Sequence, residues 1–189
     1  MEADFSIELA PEDETLEFPW FDPEGRLHYY DLKRHPEYID RLDELQNFPE
    51  LRAFLARLNS SSSAMETAKC DAWFTAEMAV EDEIFSAACK CACYVDLLFS
   101  DGRRFSFPEH QRFAEKMTEL LKQMPEVPAA AELLLRRCYY RQSSDVAAGF
   151  YFTTYLFGYG EDAAQARQHW ATGAILLADA IAQTLSKAG

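Results

Sequence analysis

Apolar positions spaced three and four apart dominate the chain after residue 63, and that spacing predicts amphipathic helices. The plainest stretch is 108–124, where His110, Phe113, Ala114, Met117, Leu120, Leu121 and Met124 mark one face behind Pro108 and Glu109. Ser63-Ala64-Met65-Glu66 has the form of a capping box and opens a predicted helix over 63–99, stopped by Ser100-Asp101-Gly102. Pro125 ends the second helix, and Pro128 helps start a third through Leu133, Leu134 and Cys138. Ser143, Ser144 and Asp145 cap a fourth that closes near Gly158 or Gly160. The last covers 161–185, with Trp170, Ala174, Leu177, Ile181 and Leu185 on one side. Short connections between such helices predict an all-α fold, an antiparallel bundle of about five main helices. No internal repeat is visible.

The first 60 residues read differently. Within 1–24 there are nine acids and no Lys or Arg, which predicts an irregular acidic arm, loosely attached. Asp22-Pro23-Glu24-Gly25 has turn chemistry, and 26–31 is a candidate return strand of a small hairpin. Two short helices are predicted at 36–45 and 49–58, each with a proline near its start. The second carries Leu51, Phe54, Leu55 and Leu58 at helical spacing. The expected organisation is one domain: an arm and two short helices (1–60) packed on a helical bundle (61–189).

Composition narrows the function. With 189 residues and 49% hydrophobic content the chain can build a real core. Its net charge of -14, from 32 acidic and 18 basic residues, argues against nucleic acid and anionic membrane surfaces. The same charge would attract a basic partner. Five cysteines form no secretory framework, the start lacks a signal-peptide pattern, and no apolar run reaches the ~20 residues of a membrane helix. A cytoplasmic protein with free thiols is the expectation.

Three features could carry chemistry. On a helix, Glu77 falls in an apolar sector with Trp73, Ile84, Ala88, Cys91, Val95 and Leu98, with Glu81 one turn on. A carboxylate so placed must be paired, protonated or bound to a metal. Pairing would use Arg136, Arg137 or Arg141; the sharper alternative makes Glu77, Glu81 and His110 a metal or acid/base site. Cys89-Lys90-Cys91-Ala92-Cys93 lacks the Cys-x-x-Cys spacing of zinc knuckles and reads as small buried hydrophobes on a helix, Cys91 opposite the other two. The run 150–159 puts aromatics all round a helix, either as core or as a patch offering Phe150, Tyr151, Tyr155 and Tyr159 to a protein or peptide partner. No phosphate loop, dinucleotide fingerprint, nucleophile elbow or zinc-protease motif occurs, and no cofactor is indicated. The leading expectation is therefore a non-enzymatic cytoplasmic binding protein.

Pro108-Glu109-His110, followed by Phe113 and Met117, is similar to the Pro-Asp-His segment of the redox-enzyme maturation chaperones. Glu109 replaces the usual Asp, and Phe107 stands where that family has an acid. The resemblance implies an acidic, all-helical cytoplasmic chaperone that binds a twin-arginine leader and an unfinished molybdoenzyme.

Overall fold

In the computed structural model, which describes residues 1–78, 85–142 and 145–186, the largest element is a sheet. Glu2–Glu8 (β1), Thr15–Phe18 (β2), Met65–Thr75 (β3), Cys89–Phe99 (β4), Ala129–Gln142 (β5) and Asp145–Gly160 (β6) form it in the order β1-β5-β6-β4-β3. β2 continues along the same edge of β5 beyond β1. β1 and β2 run parallel to β5, and the other pairings are antiparallel. The helices are Glu44–Asn47 (α1), Leu51–Leu58 (α2), Phe107–Gln123 (α3) and Ala163–Ser186 (α4), with 3-10 turns at Pro36–Arg41 and Gly102–Phe105. The all-α bundle is thus overturned in favour of a mixed α/β fold, and with it the all-helical fold implied by the chaperone resemblance.

The reason lies in burial on both faces. Along β4, Cys89, Cys91, Cys93, Val95, Leu97 and Phe99 enter the core under the helices, while Ala92, Asp96 and Leu98 are buried on the opposite side. A strand apolar at both parities satisfies helical spacing as well as alternation, so periodicity cannot separate the two. Ser63 shows the same ambiguity locally: its hydroxyl does accept a backbone amide, that of Met65 (3.0 Å), but the chain then enters β3. In β5, Ala-Ala-Ala-Glu-Leu-Leu-Leu favours helix intrinsically by tenths of a kcal/mol per residue. Pairing with β1 on one side and β6 on the other outweighs that preference.

The helices read from spacing at 49–58, 108–124 and 161–185 correspond to α2, α3 and α4. Leu51, Phe54, Leu55 and Leu58 all face the core from α2, as do His110, Phe113, Ala114, Met117 and Leu121 from α3. α4 lies directly on β6, where a side chain at Gly158 would collide with the Trp170 backbone. Salt bridges from Arg57 to Asp179 (2.6 Å) and from Arg167 to Glu50 (2.7 Å) tie the α2 region to α4. β3-β4-α3 and β5-β6-α4 are two units of one topology, meeting side by side at β4 and β6. That repeat is structural, without a sequence repeat.

The N-terminal arm is also corrected. β1 and β2 are integral to the sheet, and Met1, Ala3, Leu16 and Phe18 are buried. Residues 22–27 do turn, with Gly25 at φ +66° and the Asp22 carboxylate accepting the Arg26 (2.7 Å) and Leu27 (2.9 Å) amides, but 26–31 adds no strand. Among the described residues no helix is long and apolar enough to cross a membrane.

Candidate functional site

The four α-helices contact the face carrying Cys91, Leu133 and Phe152; among the described residues no α-helix packs on the opposite face, which divides into two halves. The strap formed by β2 and the chain to residue 34 covers one half. Leu16, Phe18, Leu98, Cys138, Tyr140 and Tyr151 make a small second core there, with Trp20 and Tyr29 packed against it. Phe18 meets Tyr29 edge-on at 5.3 Å, and the Trp20 indole donates to the Ala68 carbonyl (2.8 Å). Lys33 then clamps the strap by donating to the carbonyls of Ser60 (3.1 Å), Ser63 (2.6 Å) and Met65 (2.8 Å).

A buried polar chain runs along the border of this half. Asp96, only 3% exposed, accepts from Thr153 (2.8 Å), which in turn accepts from Arg136 (3.1 Å). Arg136 also pairs with Glu8 (2.7 Å) and Glu14 (2.9 Å). Burial pushes the Asp96 carboxyl up to about 7, opposed by the Thr153 hydrogen bond and the charges of Lys69 and Arg136.

On the other half Phe85 covers Tyr159 at one end, and among the described residues no strap crosses Tyr94, Tyr155 and Phe157. Strand register aligns Asp71, Tyr94, Tyr155, Glu132 and Asp4 in one row across five strands. The next row is Trp73, Ala92, Phe157, Ala130 and Glu2. Tyr155 and Phe157 stack in parallel at 6.1 Å, Tyr94 lies 6.1 Å from Tyr155, and the Lys90 ammonium sits 5.3 Å over the Phe157 ring. The rings are half-buried; Asp71, Glu132, Asp4 and Glu2 are exposed, and among the described residues none of these four makes an ion pair. Desolvation, then Glu8 and Asp4, hold the Glu132 carboxyl above its ordinary value.

The residues singled out in the sequence are distributed as follows. Glu77 is exposed just after β3, where its amide bonds to the Thr75 hydroxyl (3.0 Å), so the buried helical carboxylate is corrected. Arg136 takes Glu8 and Glu14 instead of Glu77, and Arg141 takes Glu17. Glu81 lies outside the described residues. His110 is fully buried among Phe99, Phe150 and Phe152, its Nδ1 bonded to the Ser106 carbonyl (2.9 Å), and burial lowers its pKa to about 4. Glu77 and His110 are not brought together, and among the described residues no cluster of three metal-ligating side chains forms. Cys89, Cys91 and Cys93 share one face of a strand, contrary to the helical reading, and all five cysteines are free. Phe150, Tyr151, Tyr155 and Tyr159 lie on β6: Phe150 faces the helices, Tyr151 sits under the strap, Tyr159 is buried against Phe85, and Tyr155 lies at the centre of the uncovered half. Trp73, Tyr94 and Phe157 were missed, though Tyr151, Thr153, Tyr155, Phe157 and Tyr159 recur at a spacing of two.

No family model, curated protein or solved structure matches the chain.

Proposed function

We propose that the chain is a non-enzymatic binding protein that receives a basic segment of a partner protein on the uncovered half of its helix-free face. The observation that carries this reading is the row Asp71, Tyr94, Tyr155, Glu132 and Asp4 across the sheet: aromatic rings at the centre, with acids at both ends. Such a surface suits arginine or lysine side chains, which stack on aromatic faces and pair with flanking carboxylates. Asp4 and Glu132 stand directly opposite one another on β1 and β5, a like-charge pairing that costs stability unless a cation bridges it. A second acidic copy fits poorly, because two chains of charge -14 repel. A cytoplasmic setting is part of the proposal and is supported by the five free thiols.

The test is a titration with a labelled peptide alternating arginine and alanine, followed by anisotropy and by amide NMR shifts. Saturable binding with shifts centred on Tyr94, Tyr155 and Phe157 is expected, weakened roughly ten-fold or more by Tyr155→Ala with Phe157→Ala. Asp71→Asn with Glu132→Gln should weaken it as well. Glu115→Gln with Glu119→Gln, an equal charge change on α3, should not. Absence of saturable binding, or equal losses in the two charge variants, would sink the reading.

A further inference from the structure

A separate concavity opens where the strap meets the ends of β3, β4 and β5, with a volume of about 590 Å³. Lys33, Arg34, Arg104 and Arg141 line it against Asp31 and Glu66; with Arg141 paired to Glu17, three cations face two acids, the reverse of the charge balance of the chain as a whole. Two of these cations, Lys33 and Arg104, are fixed from behind. The three carbonyls that hold the Lys33 ammonium leave its charge without a carboxylate partner among the described residues. Arg104 donates from Nε to the Asp101 carbonyl (3.0 Å) and lies over the Tyr140 ring at 5.0 Å. Its Nη2 reaches Glu66 through one long contact of 3.3 Å, so the fork is poorly used although both side chains are largely buried. Arg34 stands at the mouth with its side chain 83% exposed, 3.6 Å from Asp31.

We propose that this cavity binds a small oxyanion, a carboxylate or a phosphate, on the Arg104 guanidinium, with Lys33 and Arg34 supplying charge. An oxyanion offers the two parallel bonds that Glu66 does not make. Tyr29 and Phe18 line the same space and would meet the apolar part of such a ligand. The site is independent of the docking face. Glu66 is its competitor and its control. It is faced by Arg104 from the 3-10 turn, by Tyr29, Asp31, Lys33 and Arg34 from the strap, and by Tyr140 and Cys138 from β5. Burial raises its carboxyl above the ordinary value, so on acidification it takes up a proton, releases Arg104 and ceases to repel an anion.

Inorganic phosphate and succinate, titrated separately into the full chain at constant ionic strength and followed by arginine side-chain NMR, test the site and distinguish the two chemistries. One of them should bind saturably at about pH 8, and Arg34→Glu should weaken it roughly ten-fold. Glu66→Gln should tighten binding at the same pH. No saturable binding of either anion, or binding that Arg34→Glu leaves unchanged, overturns the proposal. Weaker binding in a folded Glu66→Gln protein overturns it too. Arg34→Glu is a surface change, so the test stands even if Glu66→Gln does not fold.

Discussion

Tyr151 and Tyr155 stand four residues apart on β6 and point to the same side of the sheet, yet one is sealed under the strap and the other borders solvent. Around Tyr151, Glu8 and Glu14 pair with Arg136 and Glu17 with Arg141. Around Tyr155, Asp4, Glu132 and Asp71 have no such partner among the described residues. One face therefore carries two solutions to one problem. Where an intramolecular cover exists, aromatic residues serve as core; where none crosses among the described residues, the same residue types stand beside unpaired carboxylates, the surface proposed to receive a partner.

The largest expected contrast is in stability. Tyr151→Ala empties a sealed site and should cost about 3–4 kcal/mol, whereas Tyr155→Ala should cost about 1 kcal/mol or less. Denaturant unfolding of the two variants measures this, and equal losses would erase the distinction between the halves.

A smaller effect comes from Asp96, on the border. Its folded-state pKa of about 7 lies above that of an unfolded Asp, so the folded protein holds the proton more tightly. The associated stability is full below the unfolded pKa and is lost as pH rises toward about 7. Asp96→Asn keeps an acceptor for Thr153 and should gain on the order of 2 kcal/mol over wild type near neutral pH, with no gain in acid. Parallel unfolding curves at both pH values check the sign. A variant less stable than wild type at neutral pH would show that Asp96 is held ionised by its neighbours.

The smallest effect probes the cover itself. Burial pushes the Cys138 thiol, beneath the strap, up to about 12, and likewise that of Cys93, on the helix side. Lys33→Met removes the clamp and should speed native-state alkylation of Cys138 roughly ten-fold while leaving Cys93 unchanged. Mass mapping of the modified thiols decides it. Equal acceleration at both sites would mean that the strap does not open separately from the rest of the fold.

These contrasts were partly legible beforehand. The α3 face from His110 to Leu121 was read correctly, because a helix with one wet side shows a spacing that a strand does not imitate. β1 could have been read too: Glu2-Ala3-Asp4-Phe5 alternates at a period of two, but its acidity drew attention first. For β4 and β5 no local signal was decisive, since strands buried on both faces lose their alternation. Tyr155 was picked as a binding candidate from an aromatic run, while its rows with Tyr94, Glu132 and Asp71 come from register across strands far apart in sequence.

Taken alone, the amino-acid order determined the three helices with a solvated side, the acidic balance, the absence of familiar catalytic motifs, and a core rich in aromatic side chains. Tertiary structure alone decided that the remaining apolar runs are strands, that the acidic arm is an edge of the sheet, and which aromatic residues lie under cover. The physical reason is that helix signals are written within a few turns of chain, whereas a strand is stabilised by partners supplied from elsewhere. Here β5 is joined to β1 across more than a hundred intervening residues, and nothing local to either announces the other.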